Sequence, residues 1–365
     1  MKTKGKSKKA KVKSKKLMSV MLFTFYFCLF TFDFSSSVFA VGKWSEQKSG
    51  TLAWLRAVWF VNERKGWVVG GNGTLLATED GGANWKKLKS PTEDNFVDIV
   101  FLSETEGWIL CESDRYQGQG PRSYLLHTTN GGTDWQKVYL DSTDADLRIS
   151  RIIFGAEDKG LIFGEAGMVY VTTDNGAKWV GVAAPSRFLL LGGAILNAAQ
   201  RILVGAGSTI LYTEDGGKTW RQAILRDRQN PNNPATSTAA KTGSSKIRFT
   251  SVSFTDTQNG LAVGYSGKVF TTNDGGRSWS SQNSQTDADL FDVKFLYSNN
   301  AFAIGDKGTL LDTNNGGFTW EGLNLGTTHR LERVFFVTPE HGWIVGFGGK
   351  IFSYSNVNKK PQISP

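Results

Sequence analysis

Cysteine is almost missing from this chain: two residues in 365, Cys28 and Cys111. Cys28 lies in an N-terminal leader, so once that leader is gone one thiol remains and no intramolecular disulfide can form. Stability must come from packing, and Cys111, closing the apolar run GWILC, reads as a small buried hydrophobe. Histidine is nearly as scarce. His127, His329 and His341 fall in three different repeats, which gives neither a zinc-ligand set nor a general base. No window of a dozen residues has helical periodicity, so all-α and α/β classes are excluded. The glycine pairs have no helix after them and cannot be a phosphate loop. The apolar run over 17–32 is 16 residues, short of the ~20 that span a bilayer.

Excess charge is missing too, once it is located. The formal net charge is +9, but nine lysines within 2–16 against the single acid Asp33 account for eight of it, leaving 41–365 at +1. A nearly neutral body lacks the clustered positive surface that nucleic-acid binding requires. The lysine-rich start, the apolar core and Val38-Phe39-Ala40 read as a secretory signal peptide over 1–40, cleaved after Ala40. Cys28 lacks the small preceding residues of a lipoprotein site, and no twin arginine is present. The expectation is export to a periplasm or the outside, or to a thylakoid lumen in a phototroph. Retention of the leader as an anchor is the alternative, and no stable membrane insertion is expected after cleavage.

What is present is a repeat. Phe60 to Trp85 is 25 positions, as are Phe154 to Trp179, Ile195 to Trp220, Phe254 to Trp279 and Phe295 to Trp320. Phe101 to Trp135 is nine longer, and a seventh copy from Phe336 stops before its tryptophan. Repeats of this length build solenoids or propellers. In the first copy, 57–61, 66–70, 74–78 and 85–88 read as four short strands bounded by Gly, Asn and Asp. The second strands align as GWVVG, GWILC, GLIFG, RILVG, GLAVG, AFAIG and GWIVG, apolar runs suited to burial on both faces. The following turns, such as Asn72-Gly73, Ser266-Gly267 and Gly348-Gly349, supply positive φ.

Between the third and fourth strands stands the most specific motif: TEDGGANW, TTNGGTDW, TTDNGAKW, TEDGGKTW, TNDGGRSW and TNNGGFTW. An Asp or Asn five before the Trp can accept hydrogen bonds from its own turn, and the Trp can staple the hairpin to its sheet. The pairs are Asp80 and Trp85, Asn130 and Trp135, Asp174 and Trp179, Asp215 and Trp220, Asp274 and Trp279, and Asn315 and Trp320. They resemble the Asp box (BNR-type repeat), a structural turn of sialidases, sortilin-type receptors and other propellers. The expected fold is all-β: a seven-bladed β-propeller of four-stranded blades over 41–358. Blades are expected near 55–88, 96–138, 149–182, 189–224, 249–282, 290–323 and 331–355, with a tail over 359–365. The last blade lacks its fourth strand, and Gly42-Lys43-Trp44 looks like a fourth strand without the other three, so 42–47 should complete it and remove an open edge.

Both excursions, 111–122 and 223–246, should fall on the face that carries the second-to-third and blade-to-blade connections. Loops on a rigid scaffold are where binding resides. From 226 to 248 the chain carries Arg226, Arg228, Lys241, Lys246 and Arg248 against Asp227. With Arg148, Arg187 and Arg330, each just before a first strand, Arg226, Arg228, Lys246 and Arg248 are the candidate contacts to an acidic protein partner. Arginines and acids can be assembled into a sialidase-like triad only after the fact, and the Arg-Ile-Pro mark of that family is missing. Glu63, Glu104, Glu106, Glu157, Asp158 and Glu340 belong to the opposite face. No catalytic residue, metal or cofactor is expected.

At the level of GW(V/I)VG, G-x-(L/I)-(L/F)-x-T and DGG-x-x-W, the repeats over roughly 44–355 resemble the propeller family named for the photosystem II stability and assembly factor of cyanobacteria and plastids. That resemblance implies an exported, non-enzymatic assembly scaffold that binds membrane or envelope proteins, in the lumenal case new reaction-centre subunits, partly through an arginine patch. The patch matches no motif here residue by residue. A monomer is expected, and a sialidase-like or other glycan-acting or glycan-binding propeller is the alternative.

Overall fold

The computed structural model describes residues 42–113, 121–140, 147–155, 159–227 and 246–356. The leader with Ala40, Glu157, Asp158, Arg228, Lys241 and the tail lie outside the described residues. Seven sheets follow one another along the chain, and six of them are antiparallel with four strands. Their innermost strands are Leu55–Phe60, Asn95–Phe101, Ile149–Phe154, Leu190–Ile195, Phe249–Phe254, Leu290–Phe295 and Leu331–Thr338, in blades 1 to 7. Each of these strands touches the next, and the seventh touches the first, so the ring is closed around an axial channel.

The closure uses the first described residues. Lys43–Gln47 pairs antiparallel with Ile351–Ser355 as the outer strand of blade 7. Trp44 packs edge-on against Phe302 and Phe336 at 5.5 and 5.9 Å, which ties the strand to blade 6 as well. At the other end Gln47 reaches blade 1: its Nε2 donates to the Gly81 carbonyl at 3.0 Å and its Oε1 accepts from Trp85 Nε1 at 3.2 Å.

The second strands of blades 1, 3, 4, 5 and 6 are buried at every position, as apolar runs require, and blade 4 buries Arg201 at the head of its run as well. Aromatic rings knit blade to blade: Phe60 stacks on Trp343 at 3.4 Å and Phe101 on Trp67 at 3.6 Å. A glycine opposite the phenylalanine makes room for its ring. A Cβ at Gly260 would meet Phe254 at 2.7 Å, and one at Gly107 would meet Phe101 at 2.6 Å. Blade 4 solves the same space differently. Ile195 replaces the phenylalanine and Arg201, directly opposite it, replaces the glycine. Arg201 is 2 % exposed, and neither its Nε nor its Nη1 has an acceptor.

The Asp-box turns share one internal bonding scheme. Thr78 Oγ1 donates to Asp80 Oδ1 at 2.8 Å and accepts from Gly82 N at 2.9 Å, while Asn84 N donates to Asp80 Oδ1 at 2.9 Å. The same scheme recurs around Asn130, Asp174, Asp215, Asp274 and Asn315. The side-chain bond from Asn84 holds the Asp80 carboxyl down at about 2, and Thr219 likewise depresses Asp215. Trp135, Trp279 and Trp320 donate their indole N–H to the second glycine of their own box at 2.9–3.1 Å.

The two faces separate as hairpin logic demands. Gly81 N donates to the Arg64 carbonyl, so Asp boxes and first-to-second turns lie together. Gly73 N donates to Asp94 O and Gly267 N to Ala288 O, so second-to-third turns lie against the blade-to-blade connections. Asn72 and Gly73 have φ of 52° and 60°, and a Cβ on Gly73 would strike the Thr92 carbonyl, so glycine is needed there twice over.

One excursion departs from the simple loop expected over 223–246. Ile224–Arg226 lies parallel to Ser278–Asn283 and makes a fifth, outermost strand on blade 5. Leu225 is buried there, so the apolar residue pins the connection to the blade perimeter before it continues.

Candidate functional site

The connection face carries the candidate cations, and their surroundings divide them. Arg148, Arg248 and Arg330 occupy equivalent positions, each one residue before an innermost strand. The backbone carbonyl of each accepts the N–H of the residue that opens the next hairpin turn, Glu165, Tyr265 and Phe347, at 2.8–3.0 Å. That bond sits at the bulge where the first strand slips by one residue against the second. In six blades the facing residue is glycine, because a Cβ would land on that carbonyl. Blade 2 alone has Cys111 there, fully buried, with burial pushing its thiol pKa well above the ordinary value. It is a packing residue.

Across blades 1 to 3 the cations are compensated. Arg148 faces Glu112 and Glu165 at 4.0 and 3.6 Å, and Arg122 contacts the same two carboxylates at 3.7 and 3.4 Å. Arg56 lies 3.9 Å from Glu112 and 4.6 Å over the Trp54 ring. Across blades 4 to 7 the cations lie on aromatic rings instead. Lys246 is 4.8 Å over Phe188, Arg248 is 4.9 Å over Tyr265, and Arg330 is 3.8 Å over Phe291 and 5.3 Å over Trp54. Carboxylates stand in this arc too: Glu332 is bonded to Arg330 and accepts from Trp54 Nε1 at 2.9 Å, and Asp289, which holds the Arg330 position in blade 6, accepts from Ser266 N at 2.8 Å. Phe188 and Phe347 are 40 and 49 % exposed at its edge. Lys246 and Arg248, held on rings, keep their charge available and gain apolar surface beside it, whereas Arg330 is ion-paired with Glu332 as well.

Of the residues singled out in the sequence, Lys246, Arg248 and Arg330 belong to this aromatic arc, and the exposed Arg187 adjoins it beside Phe188. Arg148 belongs to the carboxylate cluster. Arg226 stands apart on the outer strand of blade 5, opposite Ser280. Arg228 lies outside the described residues.

Sequence reasoning missed the channel. At the third position before the terminal aromatic or aliphatic residue of each innermost strand stand Ala57, Asp98, Arg151, Gly192, Ser251, Asp292 and Arg333, one tier by register. Arg333 reaches past Ala57 to Asp98 at 3.6 Å, and Arg151 reaches past Gly192 and Ser251 to Asp292 at 3.6 Å. Small residues stand wherever an arginine must pass. Each aspartate also accepts the backbone N–H of the following blade: Asp98 from Ile152 at 3.3 Å, and Asp292 from Val334 at 3.1 Å. Ser251 completes Asp292 at 2.6 Å. Burial raises the pKa of both carboxyls, with Arg151 opposing the rise. The result is an ionic girdle that fastens opposite sides of the ring and occupies the channel.

Among the described residues no three His, Cys, Asp or Glu side chains converge as a metal site. His127 pairs with Glu106 and stacks on Trp108, and His341 pairs with Glu63, both on the Asp-box face. His329 lies against Phe347 on the connection face.

A closed ring of seven blades, six of them carrying an Asp box, defines a β-propeller of the Asp-box class, and one of its faces gathers cations on aromatic rings. The chain belongs to the family described as photosynthesis system II assembly factor YCF48, whose profile matches residues 31–116, 89–189 and 224–314. It is 32 % identical over 124 residues to the photosystem II assembly lipoprotein Ycf48 of Synechococcus sp. (strain CC9902), 33 % of this chain and 34 % of that one. It is 29 % identical over 121 residues to the chloroplastic photosystem II stability/assembly factor HCF136 of Arabidopsis thaliana, 32 % of this chain and 27 % of that one. These alignments thus span about a third of the relatives' length. Among solved structures, YCF48 bound to D1 peptide superposes with TM-score 0.65 at 22 % identity, over 86 % of this chain and 96 % of the other. A GH74 xyloglucanase from Xanthomonas campestris gives 0.64 at 12 %, over 89 % of this chain and 55 % of the other. At such identities both likenesses speak for the fold alone.

Proposed function

We propose that this protein is an exported, non-enzymatic scaffold that holds an acidic, partly apolar segment of a membrane protein on its connection face. The reading rests on the arc Lys246, Arg248 and Arg330, where each cation lies on an aromatic ring at the rim of blades 4 to 7. An acidic side chain meets the cation there while a neighbouring apolar one meets the ring. Arg187 extends the arc. Arg148 and Arg226 contribute less, the first because Glu112 and Glu165 already compensate it, the second because it lies on the perimeter. The family relation makes a photosystem II subunit the leading partner class, and the D1 peptide held by the related structure supplies the probe. Export, with the exported chain beginning at Val41, is part of the same proposal and is read from the mass of the protein recovered outside the cytoplasm.

The test is fluorescence anisotropy of a labelled D1 peptide with the chain at low and high salt. The variant K246E/R248E/R330E should weaken binding by at least about tenfold, or ~1.4 kcal/mol, and raised salt should weaken the wild type as screening lengths shrink. Equal binding by the triple variant, or indifference to salt, would remove the arc from the reading.

A further inference from the structure

Six blades join their third and fourth strands with an Asp box, and in blade 7 the two ends of the described chain meet at that place. By register Trp44 faces Tyr354 as Trp85 faces Thr78, so Trp44 stands where the box tryptophan of blade 7 belongs. Asn356 N donates to the Glu340 carbonyl at 3.1 Å, the counterpart of the bond from Gly81 N to the Arg64 carbonyl in blade 1. Gly42 N donates to the Tyr354 hydroxyl.

The residues four and three before each box tryptophan make the bend. Their φ is positive in all six boxes, 55–75° at the first and 85–93° at the second, and every second one is glycine. Counted back from Trp44, the same offsets fall on Ala40 and Val41, both outside the described residues. In an unbroken chain a β-branched valine is strained at such φ, because its side chain meets its own backbone. Hydrolysis of the Ala40–Val41 bond by a signal peptidase sends Ala40 away with the new carboxylate and leaves Val41 with the amine. That amine turns freely, since no carbonyl precedes it.

The second box residue also needs an acceptor for its nitrogen. In six blades a threonine hydroxyl accepts at 2.9–3.1 Å, but blade 7 has Tyr354 at that position. Carboxylates gather there instead. Burial raises the Tyr354 pKa, and Glu340 and Asp312 add to the rise. Asp312 faces the like charge of Glu321 across the strand pair, and its Oδ1 is buried without a hydrogen-bond donor. Glu340 accepts from Tyr297 at 3.4 Å. Among the described residues no cation pairs with any of these three carboxylates. An ammonium meets that deficit where an amide N–H cannot. Trp44 Nε1 is also buried without an acceptor, and the Val41 carbonyl has the offset at which Trp135, Trp279 and Trp320 find theirs. Trp179 and Trp220 leave that donor unused, so the indole bond is an addition and the bend is the constant.

We propose that the mature amino terminus serves as the seventh box: once the leader is removed, Val41 turns over the seam of blades 6 and 7 and its α-ammonium pairs with Asp312, with Glu340 beside it. Leader removal thereby completes ring closure. The device rests on the export reading, in which the exported chain begins at Val41.

A chain starting at Val41, released from a removable fusion, is compared with one starting at Ser35, which keeps leader residues 35–40. The longer chain should melt at least about 3 °C lower, and A40G/V41G within it should recover at least half of that loss. D312N should lower the melting temperature of the Val41 chain and leave that of the longer chain within about 1 °C. NMR titration of the α-amine should place its pKa above the ordinary ~7.7–8.0 in the Val41 chain and near it in D312N. Equal melting of the two chains, an equal effect of D312N on both, or an α-amine that titrates as a free one would each overturn the proposal. The Val41 start is set by design, so these failures leave export standing, whereas an exported protein of another mass overturns both.

Discussion

Replacing Arg333 with methionine isolates the girdle. The stem volume is kept, but Asp98 loses its cation while remaining buried, its side chain 8 % exposed. Breaking a buried pair from one side typically costs about 3–5 kcal/mol. Here the N–O distance is 3.6 Å and Asp98 keeps the backbone N–H groups of Ile99 and Ile152, so about 2–4 kcal/mol is expected at neutral pH. The sign of the pH dependence follows from burial. The Asp98 pKa is raised in the folded state, so its contribution is fully favourable below the unfolded value near 4 and is lost as pH rises through the folded value. Without Arg333 that pKa rises further, and a protonated Asp98 needs no cation. The R333M penalty should therefore shrink by at least half between pH 7.5 and pH 5. The double variant R333M/D98L should recover most of the loss, since the unpaired carboxylate is then gone while Arg151 keeps Asp292. Chemical denaturation of the wild type and the two variants at both pH values measures this. A penalty under about 1 kcal/mol at pH 7.5, or one equal at both pH values, would refute the girdle as a stabilising device.

Two further expectations concern the blades. I195F/R201G should restore to blade 4 the ring-on-glycine packing of blade 2 and remove two orphaned donors, raising stability by about 1–3 kcal/mol in thermal unfolding, whereas R201G alone leaves a void and destabilises. Asp80 and Asp215 have depressed pKa values, so the stability they add is present above pH 4 and lost as pH falls through about 2 for Asp80. D80N should flatten the acid limb of the melting-temperature profile, and an unchanged limb would show that the turn does not report on folding.

The ring was legible in the spacing of phenylalanine to tryptophan, because a blade is a local object whose four strands are consecutive. Trp44 was legible as the missing strand because the last repeat visibly lacks one. The Arg148 environment was not, since Glu112 and Glu165 come from blades 2 and 3 and meet it only after folding. The place of Arg226 was not legible for a related reason: nothing in the composition of 223–246 tells that Leu225 will be buried against the outside of blade 5. The girdle was hidden most deeply. Asp98 and Arg333 are separated by five repeats, and their meeting depends on closure of the wheel. The small residues between them give a faint signal, visible only when the first strands are aligned on their terminal residues.

The ionic tier has an evolutionary corollary. Seven modules of common descent are no longer interchangeable once blades 2, 3, 6 and 7 carry complementary charges and blades 1, 4 and 5 carry the gaps that let them meet. New termini opened at any inter-blade connection would preserve every pairing. Exchanging two modules would strand a carboxylate or a guanidinium in the hub, so the order of the repeats is itself inherited information.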